Sequence, residues 1–298
     1  SLYAVTEADV LHFCKQMTSL KQLFDASRSR LTPVYGGSEA SWLLRIIMEH
    51  IKGWNQVELL MRADKEVSDF TVTRVNEVID RLLAYEPIQY IFGDTYWHGM
   101  TLKVSPAVLI PRPETEELVD IITKDNPQPD LKVLDVCTGS GCIAVALAKF
   151  MNFPEVTAID ISDRAIAVAQ ENAALQKVKV DFQTADALDL GAALTAKYDI
   201  IISNPPYVMD KEKSAMEANV LDHEPAIALF VPDSDPLKFY KAIADYAADA
   251  LTEGGRLYFE LNPLTADSLK DWMQQSGWND VCLLPDLHAK TRFMIARK

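Results

Sequence analysis

VLDVCTGSGCIAVALA, residues 133–148, joins a mostly apolar run to a glycine turn and then to an alanine-rich stretch. The run LKVLDV (131–136) has the length and continuity of a strand buried on both faces. Gly139 and Gly141 permit a sharp turn and let a ligand approach the backbone closely. A helix is expected from Gly141 to Phe150, then a second strand, EVTAIDI (155–161), in which Asp160 stands 19 residues beyond Gly141. A carboxylate at that point has two oxygens with which to accept both hydroxyls of a ribose. The turn alone is also compatible with a dinucleotide. In the G-x-G-x-x-G spacing of such sites the third position is Ala144, which that pattern tolerates. Thr138 and Ser140 are polar, however, and no second nucleotide-binding half follows.

Downstream the alternation continues. A helix is expected over 162–175 and a third strand at VKVDFQT (178–184). A fourth strand follows at YDIIISN (198–204), then a helix over 235–250 and a fifth strand at GRLYFEL (255–261). A helix over 265–276 precedes VCLLPD (281–286) and TRFMIAR (291–297), a closing antiparallel pair. This predicts an α/β, Rossmann-like domain with a mostly parallel seven-stranded sheet covered on both faces. Upstream, to about residue 86, the pattern is helical. Thr6-Glu7-Ala8-Asp9 resembles a capped start before Val10, Leu11, Phe13, Cys14 and Met17. Gly36-Gly37-Ser38 breaks the chain, with Ser38 a candidate cap for a helix whose apolar stripe is Trp42, Leu43, Ile46, Ile47 and Ile51. A further helix from about Ser68 to Ala84 turns Val72, Val75, Val78, Ile79, Leu82 and Leu83 inward. Residues 87–113, rich in aromatics and carrying Gly93 and Gly99, read as a β-hairpin linker. Glu114 to Thr123 reads as a helix with Pro113 near its first turn. The expected division is a helical domain (1–86), a hairpin linker (87–113) and an α/β domain (114–298).

The formal net charge is −14, with 10 basic and 12 acidic residues in positions 1–90 and the acidic excess concentrated beyond them. No basic run exists to neutralise phosphates, so a protein or small-molecule substrate is expected rather than direct nucleic-acid binding. The four cysteines, at 14, 137, 142 and 282, form no CxxC pair, and the five histidines are scattered, so no metal site is expected. No run reaches the roughly 18 apolar residues of a membrane span. The opening SLYAVTEADVLHF lacks the basic flank of a secretory leader, and a cytoplasmic location follows as the expectation.

IISNPPYV (201–208) carries the chemistry. Two prolines cannot extend a central strand because they donate no ladder hydrogen bond; they stiffen a turn instead. The cofactor turn Asp135-x-x-x-Gly139-x-Gly141 resembles the D-x-x-x-G-x-G turn of methyltransferases that use S-adenosyl-L-methionine. An amide nitrogen is a poor nucleophile, because its lone pair is shared with the carbonyl. Methyl transfer from a sulfonium is an in-line displacement, so that lone pair must be aimed. Asn204 can accept one amide hydrogen through its side-chain oxygen and the Pro205 carbonyl the other, with Pro206 locking the carbonyl's direction. Tyr207 can stack on the substrate amide or the sulfonium. Asp186, in QTADAL, can accept from an adenine amino group; as an alternative it is a helix cap or turn aspartate.

The chain resembles the glutamine methyltransferase family that modifies peptide chain release factors. The matching segments are EPIQYIFG (86–93), VSPAVLIPRPETEELVD (104–120), VLDVCTGSGCIA (133–144), AIDIS (158–162), SNPPYV (203–208), HEPAIAL (223–229) and PDLHAKTRF (285–293). The resemblance implies a helical N-terminal domain that helps to hold the protein substrate, a hairpin linker and a Rossmann-like catalytic domain. It implies the glutamine of the release-factor Gly-Gly-Gln loop as substrate. Cofactor contacts are then implied at Cys137, Thr138, Gly139, Ser140, Gly141, Asp160, Asp186, Ala187 and Asn204. Substrate contacts are implied at Asn204, Pro205, Pro206 and Tyr207. The family commonly has Gly at Cys137 and an aromatic residue at Ala187. Arg112, Glu114 and Glu116 form either a lid on the cofactor site or an ion-paired linker. A monomer is expected. The alternatives are a glutamine methyltransferase of a ribosomal protein, a nucleic-acid amino-methyltransferase, against which the acidic charge and IPRPETE speak, and a non-catalytic binding protein, against which the intact NPPY speaks.

Overall fold

The Ser19 hydroxyl accepts the Gln22 amide while the Gln22 side chain accepts the Ser19 amide, a capping box that starts helix α1 (Leu20–Tyr35). The computed structural model describes residues 18–298, so the expected capped start at Thr6 and the stripe through Met17 lie outside the described residues. Helix α2 (Gly37–Lys52) begins after Gly36, which places Ser38 inside the first turn and not at the cap. Its buried face is Leu43, Leu44, Ile47 and Met48; Trp42, expected inside, is 42% exposed. The short α3 (Gln56–Met61) precedes α4 (Asp69–Leu83), where Ser68 caps the Thr71 amide and Val75, Val78, Ile79 and Leu82 face the core. One turn, α5 (Ile88–Phe92), follows, and the chain divides into two units between Phe92 and Gly93.

The second unit opens with the hairpin β1 (Asp94–Trp97) and β2 (Met100–Lys103). Its two turn residues, His98 and Gly99, both have positive φ, the requirement of a type I′ turn. Trp97, Met100 and Leu102 are buried in one apolar cluster with Leu118, Val119 and Ile122 of α6 (Pro113–Asp125). The hairpin is thus packed into the core of the second unit.

The sheet comes next, built from β3 (Lys132–Val136), α7 (Cys142–Phe150), β4 (Glu155–Asp160), α8 (Asp163–Leu175), β5 (Asp181–Thr184), α9 (Leu190–Ala193) and β6 (Tyr198–Ser203). Beyond β6 lie β7 (Val208–Met209), α10 (Ala218–His223), β8 (Phe230–Val231), α11 (Lys238–Ala250), β9 (Leu251–Glu260), α12 (Ala266–Gln275), β10 (Asp280–Pro285) and β11 (Thr291–Arg297). The seven-stranded sheet runs β10-β11-β9-β6-β3-β4-β5. All neighbours from β9 to β5 pair in parallel, and β11 enters antiparallel between β9 and β10. Alternate residues of β3 and β6 serve opposite faces: Leu134, Val136 and Ile201 join one cluster, Val133, Ile200 and Ile202 the other. The third strand begins at Asp181, later than expected, because the Val178 amide bonds to Ala173 O and closes the end of α8. Among the described residues no helix is long and apolar enough to cross a membrane.

Leaving β5 the chain crosses back past β4 and β3 to enter β6, so the carboxyl ends of β3 and β6 flank a topological switch point. Gly141 caps α7 there with φ +79°, and a Cβ added to it would lie 2.8 Å from the Cβ of Ala169 on α8. Both strain and overlap oppose any side chain. Gly141→Ala is expected to destabilise the chain by about 2–3 kcal/mol, read as a lower denaturant midpoint at unchanged slope.

Candidate active site

At the carboxyl end of β4, Asp160 accepts the Gly139 amide on Oδ2 (2.9 Å) and the Ser162 amide on Oδ1 (3.0 Å). The acid expected to meet a ribose therefore also holds the glycine turn against its own strand end. Burial raises its pKa, and the backbone donors oppose that shift. On the other side of the turn Asn172, fully buried on α8, donates to Ser140 O (2.8 Å) and to Lys103 O (2.9 Å) and accepts the Lys103 amide (2.6 Å). One carboxamide thus ties hairpin to turn. Cys137 adopts φ +64°, the left-handed region that costs a side-chain-bearing residue roughly 1–2 kcal/mol. That geometry accounts for glycine being at home in this position. Burial pushes the Cys137 thiol well above its ordinary range, so it stays protonated.

Asp135 lies under the turn, fully buried. Thr138 Oγ1 donates to its Oδ2 at 2.7 Å, while Oδ1 has no hydrogen-bond partner among the described residues. Burial raises its pKa to about 7, opposed by the Thr138 bond.

After β6 the chain enters Asn204-Pro205-Pro206-Tyr207. Ser203 closes the strand by donating to Val136 O at 2.6 Å. Both prolines are buried. Tyr207 points its hydroxyl at buried Glu260 Oε1 (3.3 Å), and its carbonyl accepts Asn262 Nδ2 (3.0 Å). Thr115 Oγ1 donates to the other Glu260 oxygen at 2.6 Å. Asn262 also reaches Glu212 Oε2 (2.9 Å), which accepts the Met209 amide (2.7 Å). Burial, then the nearby Glu260 carboxylate, raises the Tyr207 pKa, keeping the phenol a donor. Neither the Asn204 carboxamide nor the Pro205 carbonyl is engaged by another group among the described residues.

The ends of β3, β4, β5 and β6 surround one cavity. Of the residues singled out in the sequence, Cys137, Thr138, Gly139, Ser140, Asp160, Asp186, Ala187, Asn204 and Pro206 line it. Gly141, Pro205 and Tyr207 do not; Gly141 caps the helix, and Tyr207 is turned toward Glu260. Asp186 lines the cavity and also makes a local turn, with Oδ1 accepting the Leu188 amide (2.9 Å). Arg112 lines the wall and pairs with Glu224, whereas Glu116 accepts the His98 amide (2.9 Å).

The description "Methyltransferase small domain" matches residues 114–226, and "PrmC N-terminal domain" matches residues 22–93. The release factor glutamine methyltransferase of Bacteroides thetaiotaomicron is 41% identical over 91% of this chain and 97% of its own length. That of Flavobacterium psychrophilum is 38% identical over 89% and 94%. The chain belongs to the release factor glutamine methyltransferase family. Its sheet also resembles that of a methyltransferase from Pyrococcus furiosus, 17% identical with a TM-score of 0.51 over 73% of this chain and 95% of that one.

In this family member two parts of the site, Phe239 and Asn172, carried no usable sequence signal. Phe239, at the start of α11, lines the cavity. It stands more than thirty residues past NPPY in a stretch that reads only as helix. Asn172 acts from the middle of a helix, whereas Ile227 and Ala228 line the cavity from HEPAIAL, a segment that the resemblance had already marked. Nothing in spacing links such residues to a turn.

Because Asp135 binds its proton more tightly in the folded chain (about 7 against an ordinary 3.8), its contribution is fully present below pH 3.8 and lost as pH rises through about 7. Asp135→Asn, neutral throughout, is expected to gain stability relative to the parent over that window, by at most on the order of 4 kcal/mol. Denaturant midpoints from pH 4 to 8 measure this; a difference that stays flat with pH contradicts it.

Proposed function

We propose that the chain transfers a methyl group from S-adenosyl-L-methionine to the side-chain amide nitrogen, N5, of the glutamine in the Gly-Gly-Gln loop of peptide chain release factors. The observation that carries this reading is Asn204, which lines the cavity with its carboxamide unengaged among the described residues, on a turn that the buried Pro205 and Pro206 stiffen. A half-buried acceptor with no internal partner is open to an external donor, water or a substrate. A primary carboxamide brings two N–H groups.

The cavity fits the cofactor by its charge. Its lining carries two carboxylates, Asp160 and Asp186, and one basic side chain, Arg112, which is already paired with Glu224. Such a lining suits a cationic, phosphate-free nucleoside better than a pyrophosphate. Asp160 would hold the ribose hydroxyls and Asp186 the adenine amino group, with Ala185 and Ala187 as a smooth wall. Where relatives carry an aromatic residue beside Asp186, this chain has Ala187, and Phe239 supplies a ring to the same cavity. When bound, S-adenosyl-L-methionine supplies a methyl group on a positively charged sulfur.

The chain's own residues supply geometry. Asn204 Oδ1 and the Pro205 carbonyl take the two amide hydrogens, which turns the nitrogen lone pair along one axis and stabilises the positive charge that grows on nitrogen. Well-held reactants account for roughly 7–11 kcal/mol of a barrier. Tyr207 serves this from behind: its anchoring to Glu260 and Asn262 stops the Asn-Pro carbonyls from drifting. No strong base is required, because the proton leaves after transfer, once the nitrogen has become acidic.

Radiolabelled methyl transfer to purified release factor, with its Gln→Ala loop variant and a ribosomal protein as controls, tests the assignment; label that persists on the Gln→Ala variant refutes it. Asn204→Ala is expected to lower kcat about 10²–10³-fold with cofactor affinity little changed. Asp160→Ala is expected to raise the cofactor Kd about tenfold or more, roughly the loss of one charged hydrogen-bond acceptor, and an unchanged Kd removes it from the ribose site.

A further inference from the structure

IPRP (110–113) and HEPAIAL (223–229) meet at a single buried carboxylate. Glu224, with its side chain 2% exposed, accepts the Ile110 amide on Oε2 at 3.0 Å and Arg112 Nη2 on Oε1 at 2.6 Å. Each side of this junction is cavity wall: residues 107–112 on one hand, Ile227 and Ala228 on the other. At the start of this wall the Ala107 and Val108 amides turn back on Ser105, at 3.3 Å to its hydroxyl and 3.0 Å to its carbonyl. Trp97 Nε1 holds the wall's other end at Arg112 O (2.8 Å). The segment carrying Glu224 runs on into β8, which pairs in parallel with β7, directly after Tyr207; the Val208 amide donates to Leu229 O at 2.8 Å. Glu224 therefore links the cavity wall to the chain that leaves the acceptor turn.

We propose that Glu224 is a positioning residue for methyl transfer, which closes the 107–112 wall over the cofactor and sets it in register with the Asn204–Tyr207 turn. This rests on the cavity being the S-adenosyl-L-methionine site. Losing Arg112 leaves the buried Glu224 carboxylate without its counter-charge, and losing Glu224 leaves the Ile110 amide without its acceptor, so the wall loosens whichever is lost. Cofactor retention and acceptor alignment then decline together.

The test uses the full chain, calorimetry with S-adenosylhomocysteine, and steady-state transfer to release factor. Glu224→Ala and Arg112→Met are each expected to raise the S-adenosylhomocysteine Kd about tenfold and to lower kcat at saturating cofactor about tenfold, a common size for coupling between sites. The KM for release factor should move less than twofold. Glu224→Gln, which keeps an oxygen for the Ile110 amide, should fall between the parent and Glu224→Ala, and it replaces Glu224→Ala should that variant not fold. The double variant Glu224→Gln/Arg112→Met should be little worse than either single one. Parent-level Kd and kcat in Glu224→Gln and Arg112→Met, or single effects that multiply, overturn the role of Glu224. Failure of the parent chain itself to bind S-adenosylhomocysteine overturns the cofactor reading instead.

Discussion

Strands of a parallel sheet end in peptide groups that no neighbouring strand satisfies, and in this chain those ends are buried around a cavity. The polar groups at the rim must find partners among side chains or remain for a ligand. Asp160 takes the Gly139 and Ser162 amides, Asn172 serves Ser140 and Lys103, and Ser203 serves Val136. Each of these bonds crosses from one strand end or helix to another. The rim becomes a single hydrogen-bonded frame, and the Asn204 carboxamide is left on the cavity wall without a partner among the described residues.

The frame is acidic inside. Asp135 and Glu260 are buried carboxylates whose pKa values burial raises, and each is held by a threonine, Thr138 and Thr115. Such groups are costly to bury, and each threonine offsets part of that cost. Their placement explains why IPRPETE is so particular a motif. Arg112 answers Glu224, Thr115 answers Glu260, and Glu116 holds the hairpin turn through His98. Three residues within one helical start fasten three remote parts of the chain. Arg292, tied to Asp286 at 3.1 Å, brings positive charge toward Tyr207 and Glu260 from the last hairpin, giving PDLHAKTRF a physical reason of its own.

Much of the catalytic unit was legible because its strands are buried on both faces, and continuous apolar runs such as 131–136 and 198–203 have few other readings. Edges were less legible. Val178 to Val180 look like strand, yet the Val178 amide is taken by the end of α8. Trp42 fits a helical stripe by spacing, but the helix turns Leu44 and Met48 to the core instead, and the ring stays at the surface. Tyr207 reads naturally as a stacking ring; its hydroxyl finds Glu260, more than fifty residues away, a partner that no local pattern reveals.

By itself the sequence determined the seven strands of the main sheet and most of the helices between them, the glycine turn, the acid at the end of the second strand and the Asn-Pro-Pro-Tyr turn, since periodicity and the special backbones of glycine and proline are local properties. Only the tertiary structure decided that Glu224 meets Ile110 and Arg112, that Asn172 meets Ser140, that Phe239 faces the cavity and that Tyr207 is anchored inward. These pairings join residues far apart in the chain. Burial selects them, because a polar group removed from water must be matched by whatever partner the packed elements bring within reach.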